Sequence, residues 1–349
     1  DEFVKVRIVQ ANGIDLSQFQ FDFDLTFAAF FMNADMTLYG RFGSRSDFKD
    51  AMRDMSLEGF QKALGAALEL HKEYPANSAS LIGKKGPEST FKVPEEYPSL
   101  RKYKPTLDYE GKVARSCMHC HMVGAAERMI FREKHKPIPN EVLYPWPMPN
   151  LLGLTLDSKE KAKITSVAKG SSAEKDGFQA GDDILTLGGQ PMISIADVQW
   201  VLHTSEAPTT LKAEILRNGQ TVNLDLSLNE GWRRNSDISW RTTTWDLRRM
   251  AIGGLVLEEL PAADRQKAGL TDTELALQVK HVGQYGDHAV GKKAGFKKGD
   301  IFVAFDGKTH YMTETDLMAH VMQNRMPGAR IPVTVLRAGT RVDLELPMQ

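Results

Sequence analysis

The sequence predicts a multidomain α+β protein built from several small cores. The chain has 349 residues, more than the roughly 100–200 residues of an average domain. An internal repeat occupies its second half, and proline-rich stretches separate that half from the beginning of the chain. Hydrophobic residues make up 42% and charged residues 26%, which is typical of folded proteins and excludes a disordered or rod-like chain.

The charges of the chain are balanced. Its 44 Lys and Arg residues face 45 Asp and Glu residues, which gives a formal net charge of -1. This balance supplies no long-range attraction to polyphosphate, so nucleic acid is excluded as a partner. No stretch reaches the roughly 18 uninterrupted apolar residues of a spanning helix, so no transmembrane segment is predicted. The chain opens without a basic and apolar leader, so we expect any signal peptide to have been removed.

The first 75 residues predict a strand, a hairpin and a helix. Apolar and basic residues alternate over residues 3–9, as in a strand with one buried face. The turn sequence NAD lies between two apolar stretches of residues 25–42 and predicts a hairpin. Apolar positions then recur at helical spacing from Leu57 to His71.

Part of this segment, QFDFDLTFAAFFMNADMTLYGRFGSR, resembles the thioredoxin-like segment of a bacterial family that joins such a domain to a PDZ module and includes selenoproteins. The resemblance implies a partial thioredoxin-like α/β domain over residues 1–75. No cysteine precedes Cys117, so the redox dithiol of active thioredoxins has no counterpart. The segment is therefore expected to be a scaffold or docking domain, and whether its front is truncated stays open.

Both cysteines of the chain fall in the sequence CMHCH at residues 117–121, which matches the attachment signature of c-type haem. Two thiols at this spacing can each add to one vinyl group of a porphyrin, and the adjacent imidazole can bind the iron. We therefore predict one covalent haem c on Cys117 and Cys120, with His121 as the proximal iron ligand. The haem would lie in a small helical cytochrome c-like segment that, with a linker, covers residues 76–150.

The distal iron ligand and the chemistry of the motif have alternatives. Met148 is the favoured distal ligand because it lies in the stiff proline loop PWPMP. His135 is its rival, and an open iron site is the third option. The motif itself is also compatible with a structural disulfide or with a thioredoxin-type dithiol, although the preceding DYEGKVARS is polar. A zinc site, lacking a second ligand pair, would use Cys117, Cys120 and two of His119, His121 and His135.

From residue 151 the chain repeats itself. GFQAGDDILTLGGQPM at residues 177–192 is echoed by GFKKGDIFVAFDGKTH at residues 295–310, an offset of about 120 residues. Each copy resembles a bacterial PDZ domain, with a glycine loop, a strand, a small-residue helix, the GFxxGD motif and a closing pair of strands. The resemblance implies a first PDZ domain at residues 151–230, and a linker with a second PDZ domain at residues 231–349.

PDZ domains bind an extended peptide at a sheet edge, and N–H groups of the glycine loop hold its terminal carboxylate. The resemblance assigns this role to Leu152, Gly153 and Leu154, and to Gly253, Gly254 and Leu255. In the alternative interpretation the protein's own linker fills each groove and the domain only packs. Bacterial PDZ pairs often accompany a serine protease, but the chain has no GxSxG sequence and too little length for a protease domain, so proteolysis is not predicted.

These features together predict a periplasmic c-type cytochrome that transfers electrons within or to a protein assembly and docks peptides through its PDZ domains. The expected partners are a redox protein and the C-terminus of a peptide or protein, and a homo-oligomer is not excluded. An electron carrier or adaptor is favoured over an enzyme. The alternatives are a peroxidase-like or gas-binding haem protein with an open distal site, and a PDZ adaptor without redox chemistry.

Overall fold

The computed structural model describes residues 2–47 and 53–349. The chain divides into two compact units. Unit 1 comprises residues 1–123 and 144–236. Unit 2 comprises residues 124–143 and 237–349. The chain is thus a multidomain α/β protein, which confirms the predicted multidomain organisation but not the predicted cytochrome-like and thioredoxin-like parts, and the division into four domains stays a prediction. Among the described residues, no helix combines the length and the apolarity that crossing a membrane requires.

Unit 1 begins with a hairpin and a long helix. Strands β1 (Ala29–Met32) and β2 (Leu38–Phe42) are antiparallel, and helix α1 (Leu57–Glu73) follows them. The Ser56 hydroxyl accepts the N–H of Gly59 and so caps the start of α1. The predicted hairpin and helix are confirmed.

The strand predicted over residues 3–9 is wrong. This segment has no regular secondary structure, and Val4 and Val6 are 95% and 83% exposed. An alternating pattern forms a strand only where another strand pairs with it and a core covers its apolar face. Within the described part of residues 1–123, the only sheet is the two-stranded hairpin, so the thioredoxin-like domain has no support beyond β1, β2 and α1.

Short helices and irregular chain follow α1. The segment predicted to be a linker with a haem-binding helix contains one helix longer than a single turn. The four helices are α2 (Ser78–Leu81), α3 (Val113–Ser116), α4 (Cys120–Glu133) and α5 (Asn140–Leu143).

The rest of unit 1 encloses an apolar core between small sheets and helices. One sheet pairs β3 with β4, and the other has the strand order β6-β5-β7-β8. Val198, Leu202 and Ile215 are among the fully buried side chains of this core. The elements are β3 (Leu154–Leu156), β4 (Ile164–Val167), α6 (Ser172–Lys175), β5 (Asp183–Leu187), β6 (Gln190–Pro191), α7 (Ile195–Thr204), β7 (Thr209–Arg217) and β8 (Gln220–Leu228).

Unit 2 is built around a five-stranded antiparallel sheet with the strand order β13-β12-β11-β10-β9. Helix α11 begins with a capping box in which the Thr313 and Asp316 side chains and backbone N–H groups bond reciprocally. The elements are α8 (Thr244–Ile252), β9 (Leu255–Glu259), α9 (Ala262–Lys267), β10 (Leu277–Val282), α10 (Val290–Lys293), β11 (Ile301–Phe305), α11 (Glu314–Asn324), β12 (Arg330–Arg337) and β13 (Thr340–Pro347).

The internal repeat is visible in matching side-chain contacts. Arg217 on β7 binds Asp182 of the first GD motif with two hydrogen bonds of 2.7 Å. Arg337 on β12 binds Asp300 of the second GD motif with two bonds of the same length. Each arginine also donates to the carbonyl of the glycine that opens its motif, at 2.8 Å. The same bidentate clamp therefore holds the same turn in both copies.

Candidate peptide-binding site

The first predicted loop lies where a short 3-10 turn enters β3. Gly153 has a φ of +94°, and its N–H donates to the Asn150 carbonyl at 3.0 Å. A Cβ on Gly153 would lie 2.2 Å from Ser171 Oγ, so the position requires glycine. The neighbouring Leu152 and Leu154 side chains are buried in the domain core. The three predicted residues therefore form one rigid loop.

Strand β3 has an edge without a paired strand next to this loop, among the described residues. Within the described ranges, β3 pairs with β4 alone. Leu154 and Leu156 point into the core while Thr155 is exposed. Helix α7 lies against the turn that leads into β3. An edge strand beside a helix is the arrangement to which an extended peptide can add by backbone hydrogen bonds.

Helix α7 is fixed by a buried ion pair between residues 113 positions apart, which no local sequence pattern predicts. Lys84 Nζ lies 2.9 Å from Asp197 Oδ2, and both side chains are fully buried. The Asp197 carboxylate also accepts the N–H groups of Arg41 and Ile193, at 3.1 and 3.2 Å. Burial lowers the pKa of Lys84, and the charge of Asp197 opposes that shift. The Arg41 guanidinium lies 3.9 Å from the ring centroid of Trp200 on the same helix.

The glycine loop of the second repeat ends the preceding helix, as Gly153 ends the 3-10 turn in the first repeat. The N–H of Gly254 donates to the Arg248 carbonyl at 2.9 Å, and the N–H of Gly253 bonds to the same oxygen. Both glycines have positive φ and so end helix α8. A Cβ on Gly254 would lie 2.1 Å from the His288 carbonyl oxygen. These glycines are thus required by the turn, with Leu255 fully buried beside them.

A buried carboxylate lies next to this second loop. Glu314 at the start of α11 pairs with Arg248 at 2.6 Å, and it accepts the N–H of Leu257 on β9 at 2.7 Å. Burial raises the pKa of Glu314, and the Arg248 guanidinium opposes that shift. Strand β9 is the edge of its sheet. The Glu314 carboxylate therefore already accepts the Leu257 N–H, a backbone donor that an added peptide strand would use.

The CMHCH stretch is held by contacts with residues near the start of the chain. The Asn12 side chain accepts the N–H of Met118 at 2.7 Å, and the Met118 side chain is fully buried. Cys117 and Cys120 are free, half-buried thiols. The Cys120 thiol lies 3.8 Å from the Leu25 carbonyl oxygen, and burial raises its pKa.

Each predicted iron ligand has its own local surroundings. The rings of His119 and His121 stack with centroids 5.5 Å apart and planes 3° apart. Met148 packs against the apolar core around β3, and His135 is exposed beyond the end of α4. In the two described stretches of the chain, no group of three or more His, Cys, Asp and Glu side chains could hold a metal ion. The residues present fit neither the haem nor the alternative zinc site.

Comparison with known proteins identifies the first repeat. A family model described as a PDZ domain matches residues 150–228. A probable periplasmic serine endoprotease DegP-like of Pseudomonas putida (strain W619) is 36% identical over 87 residues, covering 25% of this chain and 18% of that protein. The DegP-like protein of Marinomonas sp. (strain MWYL1) is 25% identical over 184 residues, covering 53% and 36%. The periplasmic pH-dependent serine endoprotease DegQ of Escherichia coli (strain K12) is 35% identical over 74 residues, covering 21% and 16%.

This chain spans at most 36% of the length of these relatives. Similar solved structures include a serine endoprotease of Yersinia pestis, with 26% identity, a TM-score of 0.21, and coverage of 22% of this chain and 28% of that one. The PDZ domain of EpsC from Vibrio cholerae has 23% identity, a TM-score of 0.19, and coverage of 27% of this chain and 93% of that one.

These findings correct the functional prediction. The three relatives named above are serine endoproteases, which do not use haem, so the predicted c-type cytochrome, its haem c and its electron transfer are wrong. The preference for a carrier or adaptor over an enzyme is wrong on the same ground, and the redox partner has no support. The periplasmic location is confirmed. Residues 150–228 of this chain are a PDZ domain, a peptide-binding module homologous to parts of periplasmic DegP-like serine endoproteases.

Proposed function

We propose that this chain takes part in periplasmic serine proteolysis and that its PDZ domain recognises the polypeptides involved. The match of residues 150–228 to the PDZ model carries the proposal. Similarity to DegP-like and DegQ endoproteases supports the link to proteolysis. In this proposal a peptide pairs with the open edge of β3, and its terminal carboxylate meets the loop formed by Leu152, Gly153 and Leu154.

The second repeat is proposed to be a PDZ-like domain with a closed groove. Its element order and its Arg337–Asp300 clamp match those of the first repeat. The Leu257 N–H on the edge strand β9 donates to the buried Glu314 carboxylate, so a backbone donor that an added peptide strand would need is engaged within the chain. Peptide recognition is therefore assigned to the first repeat.

A binding experiment tests this assignment. An array of C-terminal decapeptides presented to the full chain should contain ligands with micromolar dissociation constants, about -8 kcal/mol at 1 μM. Gly153→Ala should abolish binding because its Cβ meets Ser171. Gly189→Ala is the matched control, since Gly189 also has positive φ in the same domain but has open space around it. Equal loss in both variants would show that backbone strain alone, and not the loop, explains the effect.

A cleavage experiment tests the link to proteolysis. Unfolded casein is incubated with the full chain, with and without a serine-directed inhibitor. Cleavage that the inhibitor stops would assign catalysis to this chain, and binding without cleavage would assign it recognition only. If casein and all peptides fail to bind, the proposal is refuted.

A further inference from the structure

A tryptophan of the chain itself lies on helix α7 of the PDZ domain. Trp146 is 6% exposed, and its ring stacks on the imidazole of His203 with centroids 4.9 Å apart and planes 24° apart. The Gln199 side-chain amide donates to the Trp146 carbonyl at 3.0 Å. The Trp146 N–H donates to His203 Nδ1 at 3.4 Å. Helix α7 therefore contacts the ring, the backbone N–H and the backbone carbonyl of Trp146.

The sequence around Trp146 has features of a docked ligand. Pro145 and Pro147 flank it, and because proline has no N–H, Trp146 supplies the only backbone donor of the three residues. Its φ is +51°, a region that bulky side chains rarely adopt, so contacts must hold it there. Proline-rich segments are recognised elsewhere by grooves lined with aromatic side chains, and here Trp200 and His203 supply such a lining.

The location of Trp146 brings it into the path of a peptide. Helix α7 lies against the turn that leads into β3, and a peptide that adds to β3 near Gly153 runs beside this helix. The opposite side of α7 is already covered through the Lys84–Asp197 pair, and a third side faces the core. The face that carries Gln199 and His203 is covered by Trp146, which itself belongs to the buried core of the domain.

We propose that the segment Tyr144–Met148 is a built-in competitor in the peptide groove of the first PDZ domain. The polypeptides that bind are those with an aromatic residue flanked by prolines, which replaces Trp146 on Gln199 and His203. This inference rests on the proposed function, because it names the class of polypeptide recognised by the same site. A peptide binds only those molecules in which the segment is released. The apparent dissociation constant is therefore the intrinsic one divided by the released fraction.

The test uses a fluorescein-labelled peptide, Tyr-Pro-Trp-Pro-Met, added to the full chain and followed by fluorescence anisotropy. Trp146→Ala should bind it at least about tenfold more tightly than the unmodified protein does, since the competitor has lost its ring. Adding Gln199→Ala to that variant should weaken binding again. Leu187→Ala is the control for destabilisation, because Leu187 is fully buried in the same core and does not belong to α7.

Hydrogen exchange supplies a second readout that does not require a core substitution. In the unmodified protein, the Trp146 amide should be protected, and a saturating C-terminal peptide from the array should remove that protection. The inference is overturned if Tyr-Pro-Trp-Pro-Met binds the unmodified protein and Trp146→Ala with equal affinity, or if the Trp146 amide stays protected when peptide is saturating. In either case, binding of peptides from the array would still uphold the proposed function. If neither protein binds any peptide, the proposed function fails and this inference fails with it.

Discussion

The buried ion pair beneath α7 yields a quantitative prediction. Lys84→Met removes the ammonium group 2.9 Å from Asp197 and leaves a fully buried carboxylate. Breaking a buried pair by removing one partner costs about 3–5 kcal/mol. The N–H groups of Arg41 and Ile193 still bond to Asp197, so we expect the lower end, about 3 kcal/mol. This corresponds to a fall of about 6–12 °C in the melting temperature of a unit of this size.

Hydrogen exchange measured by mass spectrometry on peptides from α7 is the appropriate assay, because it reports on unit 1 alone. Peptides from β12 in unit 2 serve as the internal reference. The double variant Lys84→Met with Asp197→Asn carries no buried charge at this pair, and it should recover at least half of the loss. A loss below about 1 kcal/mol for the single variant, or no recovery in the double variant, would refute the view that this pair fixes α7.

Two other carboxylates, Asp35 and Glu314, give predictions about the stability of the fold. Hydrogen bonds, the largest from the Thr37 side chain, lower the pKa of Asp35 from 3.8 to about 2. Its contribution to stability is complete above about pH 4 and is lost as the pH falls toward 2, so Asp35→Asn should flatten that part of an acid unfolding curve. Glu314→Leu leaves Arg248 without its buried partner and should cost about 3 kcal/mol in urea unfolding, whereas Glu345→Leu, which breaks an exposed pair, should cost under about 1 kcal/mol.

Local signals explain the parts of the fold that the sequence predicted correctly. The NAD turn needs only Asn33, whose side chain accepts N–H groups two and four residues later, to reverse the chain. The start of α1 needs only the Ser56 cap. The repeat was visible because each GD motif must supply an aspartate to an arginine on a later strand, and the residue types therefore recur.

The errors arise where distant residues decide the outcome. The alternation in residues 3–9 describes a strand only if a second strand pairs with it, and the sequence does not say whether one does. The CMHCH motif indicates that its side chains could attach a haem. A haem site also needs a pocket for the porphyrin, which residues distant in sequence must form. Asn12 and Leu25, far from the motif in sequence, instead contact Met118 and Cys120.

If the two proposals hold, the groove of each repeat is covered by the segment that precedes it, but the two covers differ in strength. In the second repeat that segment is helix α8, which contacts β9 and α11 and is anchored by the buried Arg248–Glu314 pair, whose carboxylate also accepts the Leu257 N–H. Releasing it would expose a buried charge, which is costly. In the first repeat that segment contains Trp146, held by core packing, by ring contacts with His203 and Trp200, and by two neutral hydrogen bonds, one of them 3.4 Å long. Neutral contacts can be exchanged for equivalent ones from a peptide, and a buried ion pair cannot. The first groove is thus suited to exchange, and the second to permanent closure.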